Sequence, residues 1–186
     1  FSWKDTNLRV ACASFELVTR TVVEARRQLE RYIARHPAFR TALAPLPLID
    51  DPPEAARRMA AAAELTGLGP MAAVAGTLAQ LGAEAALASG CDEAIVENGG
   101  DIFLVATAPV TIALHAGATL GNRLAFQIDP HQTPLGLCSS SGTMGHSLSL
   151  GRCDLATVAS RDASLADAAA TLVGNLVRRE RDLTPA

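Results

Sequence analysis

Four short stretches of this 186-residue chain combine residue types that do chemistry. The first of them, nearest the C-terminus, is the most pointed. Asp167 and Thr171 are four residues apart, so on a helix they share one face, and alanines surround them in Ala166-Asp167-Ala168-Ala169-Ala170-Thr171. A carboxylate and a hydroxyl set among small apolar residues are costly to bury without partners. They are hard oxygen donors suited to Mg²⁺ together with phosphates and carbonyls. The same spacing also fits an acid facing the helix dipole and a threonine bonded to the backbone. The second stretch, Glu97-Asn98-Gly99-Gly100-Asp101, joins two apolar runs. Its glycines permit left-handed angles or close approach of a ligand, as in a plain hairpin turn, but both flanking residues are acidic. The third, Ser139 to Ser147 (SSSGTMGHS), offers hydroxyls and glycines near His146. It can nest a phosphate or form a polar loop. It lacks the GxSxG elbow of a serine hydrolase. The fourth, Gly67-Leu68-Gly69-Pro70-Met71, starts a helix, where free N–H groups favour an anion or simply turn the chain.

The elements that position these residues follow from periodicity. Leu8 to Ser14 alternates as a strand, and Ser14 is placed to cap the helix behind it. Apolar residues recur at helical spacing from Phe15 to about Arg35. Arg26, Arg27, Glu30, Arg31 and Arg35 form a solvated face, and His36-Pro37 ends the helix. Ala44 to Pro53 is an extended proline-rich connection over the surface or over a ligand. Helices follow at about Glu54 to Leu65 and Pro70 to Ser89, the second dense in small residues and closed by Gly90. Strands are expected at Glu93 to Asn98, Ile102 to Ala106, Val110 to His115, Arg123 to Ile128 and Asp154 to Ala159. A final helix spans Ser164 to Arg179. Helices and strands are grouped rather than alternating, which gives an α+β fold with helices on one face of a mostly antiparallel sheet.

Composition narrows the function. Hydrophobic residues make up 49% of the chain and charged residues 19%, enough to bury a core in one domain or in two similar halves. Aromatics are 4% and the net charge is −3, so base stacking and basic grooves are both poorly supplied and nucleic acid is not the expected partner. Lys4 is the only lysine, which weighs against a P-loop and against Schiff-base chemistry. Cys12, Cys91, Cys138 and Cys153 form no CxxC pair and are expected to be reduced, mostly buried thiols. No uninterrupted run of about 18 apolar residues suggests a membrane span. No charged leader with an apolar run behind it opens the chain, so a cytoplasmic location is expected; a start on Phe1 leaves the natural N-terminus open.

Taken in order, GPMAAVAG (69–76), ENGGDI (97–102), SSSGTMGHSLSLG (139–151) and ADAAAT (166–171), with WKDTNLRV at 3–10, resemble a prokaryotic family related to the ApbE-type FAD:protein FMN transferases. The resemblance covers nearly the whole chain and implies a T-fold-like architecture. It implies that Asn98, Gly99, Gly100 and Asp101, then Ser140, Ser141 and Gly142 with the adjoining Thr143, surround a flavin nucleotide, FAD or FMN. It further implies Mg²⁺ at Asp167 and Thr171, and His146 and Asp167 as catalytic residues. The partners implied are a small phosphorylated ligand and an acceptor protein; the oligomeric state stays open. Two departures stand out. Ala75-Gly76 replaces the Lys-Gly pair of the ApbE enzymes, and the chain is much shorter. The expected function is Mg²⁺-dependent FMN transfer or related phosphoryl transfer; the alternative is a non-catalytic flavin- or phosphometabolite-binding or accessory protein.

Overall fold

The computed structural model describes residues 1–116, 121, 123–142 and 153–183. The strands are β1 (Ser2–Trp3), β2 (Thr6–Ala11), β3 (Ala94–Asn98), β4 (Asp101–Val105), β5 (Val110–Leu114), β6 (Leu124–Ile128), β7 (Leu135–Ser140) and β8 (Ala156–Ser160). The helices are α1 (Phe15–Arg35), α2 (Ala38–Thr41), α3 (Glu54–Thr66), α4 (Val74–Ala88) and α5 (Ala163–Leu176). A 3-10 turn, Pro70–Ala73, leads into α4.

Six strands form one sheet in the order β1-β2-β3-β4-β7-β8, with every neighbour antiparallel. Period-two alternation sorts their side chains. Ala94, Val96, Phe103 and Cys138 turn to one face and pack on Val18 and Val22 of α1, Leu78 and Ala83 of α4 and Ala166 of α5. Ile95, Ile102, Leu104 and Leu137 turn to the other face and pack on Val110, Ile112 and Ile128. The helices therefore occupy one face, as expected, and the β5–β6 hairpin, a separate two-stranded sheet, covers the other. A further cluster ties α1, α2, α3 and α5 together around Leu29, Tyr32, Phe39, Met59 and Ala168.

The segment Pro70–Ala88 is long and apolar enough on average to cross a membrane, yet it is the central helix, packed among α1, α5 and the sheet. Its small residues permit that position. A Cβ on Gly76 would lie 2.3 Å from the Ala163 carbonyl oxygen and 2.9 Å from the Asp167 Cβ. A Cβ on Gly136 of β7 would lie 2.6 Å from the Ala163 Cα. Ala163, first residue of α5, is thus pinched between a glycine of α4 and a glycine of the sheet.

Three expectations are corrected. The strand at 8–14 runs instead over Thr6–Ala11, with a two-residue strand ahead of it. Ser139 and Ser140 end a strand rather than open a polar loop. Pairing of β7 with β8 sets Ser139 opposite Thr157, where their hydroxyls meet at 2.9 Å and the polar surface that reads as loop is satisfied. Ser14 makes no capping hydrogen bond. Its hydroxyl instead accepts from the Cys91 thiol at 3.2 Å and meets the Ser89 hydroxyl at the same distance. The capped helix is α5. Asp162 accepts from the Ser164 and Leu165 N–H groups at 2.8 and 3.3 Å, and Gln80 of α4 accepts from Ala163 N–H at 2.8 Å. Asp162→Ala is accordingly expected to cost about 1 kcal/mol in urea denaturation, and Ser14→Ala less than about 0.5 kcal/mol.

Candidate functional site

The clamped start of α5 sets Asp167 one turn in, facing α4 and the sheet. Asp167 is buried, and its Oδ2 accepts from Gly76 N–H at 2.9 Å. That contact needs Gly76, since any side chain there would hold the two helices apart. On the sheet side, the Ile102–Leu137 pairing places Asp101 opposite Cys138, one step along the ladder. Asp101 is also buried and accepts from Ser139 N–H at 3.1 Å. Asn98, at the end of β3, donates to the Ala75 carbonyl at 3.2 Å. The turn between β3 and β4 is possible because Gly99 and Gly100 adopt φ of +66° and +110°, with open space where side chains would be.

The electrostatics of this floor are unusual. Burial pushes the Asp101 carboxyl up to about 6, with the Glu97 charge adding to the effect. Burial, then the Asp101 charge, raises the Asp167 carboxyl well above the ordinary range. Burial raises the Cys138 thiol too, helped by the charges of Asp101 and Asp167. These three groups resist carrying charge together, so the pair of acids holds protons or takes a cation.

Above the floor lies a cleft of about 1460 Å³. Asn98, Gly99, Gly100, Asp101, Ser140 and Ser141 line it, joined by Ser139 and Ala75. β5, with Val110 to Leu114, forms an opposing wall. Gly142 N–H donates to the Cys153 carbonyl at 2.8 Å. Asp167 and Thr171 do not line the cleft; they lie on α5, with Asp167 behind the Ala75–Gly76 backbone. Thr143 and His146 fall outside the described residues. The Gly67–Met71 stretch is used by the protein itself: a Cβ on Gly69 would lie 1.7 Å from the Ala42 carbonyl oxygen. The proline-rich connection packs Leu46 and Ile49 against the helices and contributes nothing to the lining. Part of the helix face expected to be solvated contributes instead. Arg26 and Glu30 line the cleft, and Arg26 bonds the buried Thr6 hydroxyl and, at 2.8 Å, Asp5. The cysteines are free thiols as expected, but only Cys138, which shares with Gly136 the helix-facing side of β7, is fully buried; Cys12, Cys91 and Cys153 are half-buried.

Oxygen donors under a cleft, with two acids that compete for protons, define a candidate site for a hard cation and an anionic ligand. Among the described residues no group of three or more His, Cys, Asp or Glu residues is spaced to hold a metal, so a cation here would rely on hydroxyl and backbone oxygens as well.

The chain belongs to an ApbE-like family: the family model described as "AbpE bacteria" matches residues 2–185. It is 47% identical over 157 residues to a UPF0280 protein of Methanocella arvoryzae, covering 84% of this chain and 64% of that one. It is 43% identical over 169 residues to a UPF0280 protein of Methanothrix thermoacetophila, covering 90% and 71%. The chain therefore spans about two thirds of the length of these relatives. Among solved structures, the apo Pseudomonas stutzeri flavinyl transferase ApbE is similar over 63% of this chain and 40% of that one, with 18% identity and a TM-score of 0.46.

Proposed function

We propose that the cleft binds a flavin nucleotide and that the protein transfers FMN from FAD to a hydroxyl of an acceptor protein. The observation that carries this reading is the buried pair Asp101 and Asp167 beneath the cleft, in a chain of an ApbE-like family. A carboxylate and a hydroxyl are hard oxygen donors of the kind Mg²⁺ takes. The carboxylate of Asp167 and the hydroxyl of Thr171 would hold it, and like-charge repulsion with Asp101 is relieved when a cation arrives. Bound Mg²⁺ would supply neutralisation of pyrophosphate oxygens. The chain's own residues do the rest. Gly76 N–H orients Asp167, and the Asn98 side chain pins the Ala75 carbonyl at the edge of the floor. Gly99 and Gly100 leave backbone open to a ligand, and Ser140 and Ser141 offer hydroxyls. In the reaction, the acceptor oxygen forms a bond to the FMN phosphorus while the P–O bond to AMP breaks. The acceptor proton passes to a base, the role we assign to His146.

The test is incubation with FAD, Mg²⁺ and candidate acceptor proteins. AMP release is expected, reduced about a hundredfold in Asp167→Asn. No AMP, or equal release from the variant, overturns the transferase reading. One observation favours a second reading, a non-catalytic flavin-binding or accessory protein: Ala75 brings no cation to the lining where the resemblance would place a lysine. Flavin binding without AMP release selects it.

A further inference from the structure

Positive charge in the cleft is nearly all neutralised by the protein itself. Lys4, Arg9, Arg26 and Arg40 are the lysine and arginines on its lining. Lys4 pairs with Glu30 at 2.7 Å, Arg9 with Glu97 at 3.2 Å and Arg26 with Asp5 at 2.8 Å. The Arg40 side chain has no ion pair or hydrogen bond among the described residues; only its backbone N–H is used, donating to the Pro37 carbonyl at 3.1 Å.

Its mount is firm. Arg40 lies on α2, where the preceding Phe39 is fully buried and meets the Tyr32 ring edge-on at 5.3 Å. Behind it the Ala42 carbonyl is pressed onto Gly69. α2 packs on the Pro70–Ala73 turn, which runs directly into Ala75 and Gly76 above the acid pair. α2, which carries Arg40, and the Asp167 carboxylate therefore contact the two ends of one continuous stretch, Pro70 to Gly76. The lining beside Arg40 is apolar: Ile33, Ala34 and Met71. The acids of the floor repel an anion. The planar, permanently charged guanidinium is suited to bidentate contact with a phosphate, and the apolar wall beside it to a ring system.

We propose that Arg40 holds a phosphate of the cleft's ligand, so that the cleft selects a phosphorylated flavin over its neutral nucleoside. This rests on the flavin-nucleotide reading above and adds to it the residue that reads the phosphate. Arg40 supplies from α2 the cation that Ala75 does not supply from α4.

The experiment uses the full chain, with FMN, riboflavin and inorganic pyrophosphate as probes. Flavin affinity is followed by flavin fluorescence and calorimetry. The wild type is expected to prefer FMN over riboflavin by about tenfold, the scale of one charge-assisted contact. Arg40→Gln erases that preference and leaves riboflavin affinity unchanged. Arg40→Lys retains part of it. Arg57→Gln, the same charge change away from the cleft, leaves it intact. An undiminished preference in Arg40→Gln, or equal loss of both flavins, overturns the assignment while leaving flavin binding standing. If the wild type binds neither flavin, the flavin reading fails and pyrophosphate decides for Arg40. Thermal stabilisation of the wild type that disappears in Arg40→Gln supports a phosphate site there; stabilisation that is absent, or equal in both, overturns it.

Discussion

Gly76→Ala is expected to destabilise the protein by about 3 kcal/mol and to lower its Tm by roughly 6–12 °C. The added methyl would meet the Ala163 carbonyl at 2.3 Å and the Asp167 Cβ at 2.9 Å. Neither neighbour can swing aside. The first is backbone at the clamped start of α5, and the second carries the carboxylate that accepts from Gly76 N–H. α4 and α5 must separate, which opens the core and breaks that hydrogen bond together. Gly82→Ala is the control on the same helix. There the methyl would press on the γ-methyls of Val22 and Val18, at 2.9 and 3.0 Å, which are side-chain ends rather than backbone. Its cost is expected to be about 1 kcal/mol. Thermal melts of both variants decide the matter: equal losses would mean that the α4–α5 contact is not the tight one.

The metal-free protein is expected to be most stable between about pH 4 and pH 5 and to weaken toward pH 7. In the unfolded chain Asp101 and Asp167 lose their protons near pH 4. Folded, Asp101 holds its proton to about 6, and Asp167 holds its own well above the ordinary range. Between those values the native state binds more protons than the unfolded state, so stability falls as pH rises. For Asp101 the loss is complete above about pH 6 and amounts to roughly 3 kcal/mol; Asp167 extends the decline. Glu24, Glu30 and Glu54 act in the opposite direction. Arg31 lowers the first, Lys4 the second and Arg58 with Arg57 the third, so their contributions are lost as pH falls below the ordinary glutamate value. The two sets of acids leave a maximum between them. Asp101→Asn is expected to flatten the decline from about pH 4 to pH 6 and to be more stable than wild type at pH 7. Denaturant midpoints across this range test it. A variant as pH-sensitive as wild type would show that Asp101 is not the group that titrates.

Local pattern carried much of this fold. The spacing of Leu17, Val18, Val22, Leu29 and Ile33 and the His36-Pro37 stop set α1 at Phe15–Arg35, as found. The antiparallel α+β arrangement followed from the grouping of elements. β7 was hidden because Gly136 is there to admit Ala163, and Ser139 because its hydroxyl pairs with Thr157. Neither reason is local in sequence. In the site, Asp101 and Asp167 were conspicuous as acids among apolar neighbours. Their mutual influence through the packed helix and sheet was not legible, because it depends on register and on a glycine ninety-one residues away from Asp167. Arg40 sits on a four-residue helix with no periodicity to draw notice.

The two walls of the cleft are built differently. The floor belongs to a six-stranded ladder braced by helices, while β5 and β6 hydrogen-bond to each other and form a separate sheet. Among the described residues the hairpin leans on the larger sheet through apolar side chains such as Val110, Ile112 and Ile128, with β6 mostly exposed. Non-directional contacts tolerate sliding in a way that a hydrogen-bonded ladder does not. The chamber can therefore adjust its width to its contents without breaking a strand pairing, and the rigid side keeps the acids in register while it does so.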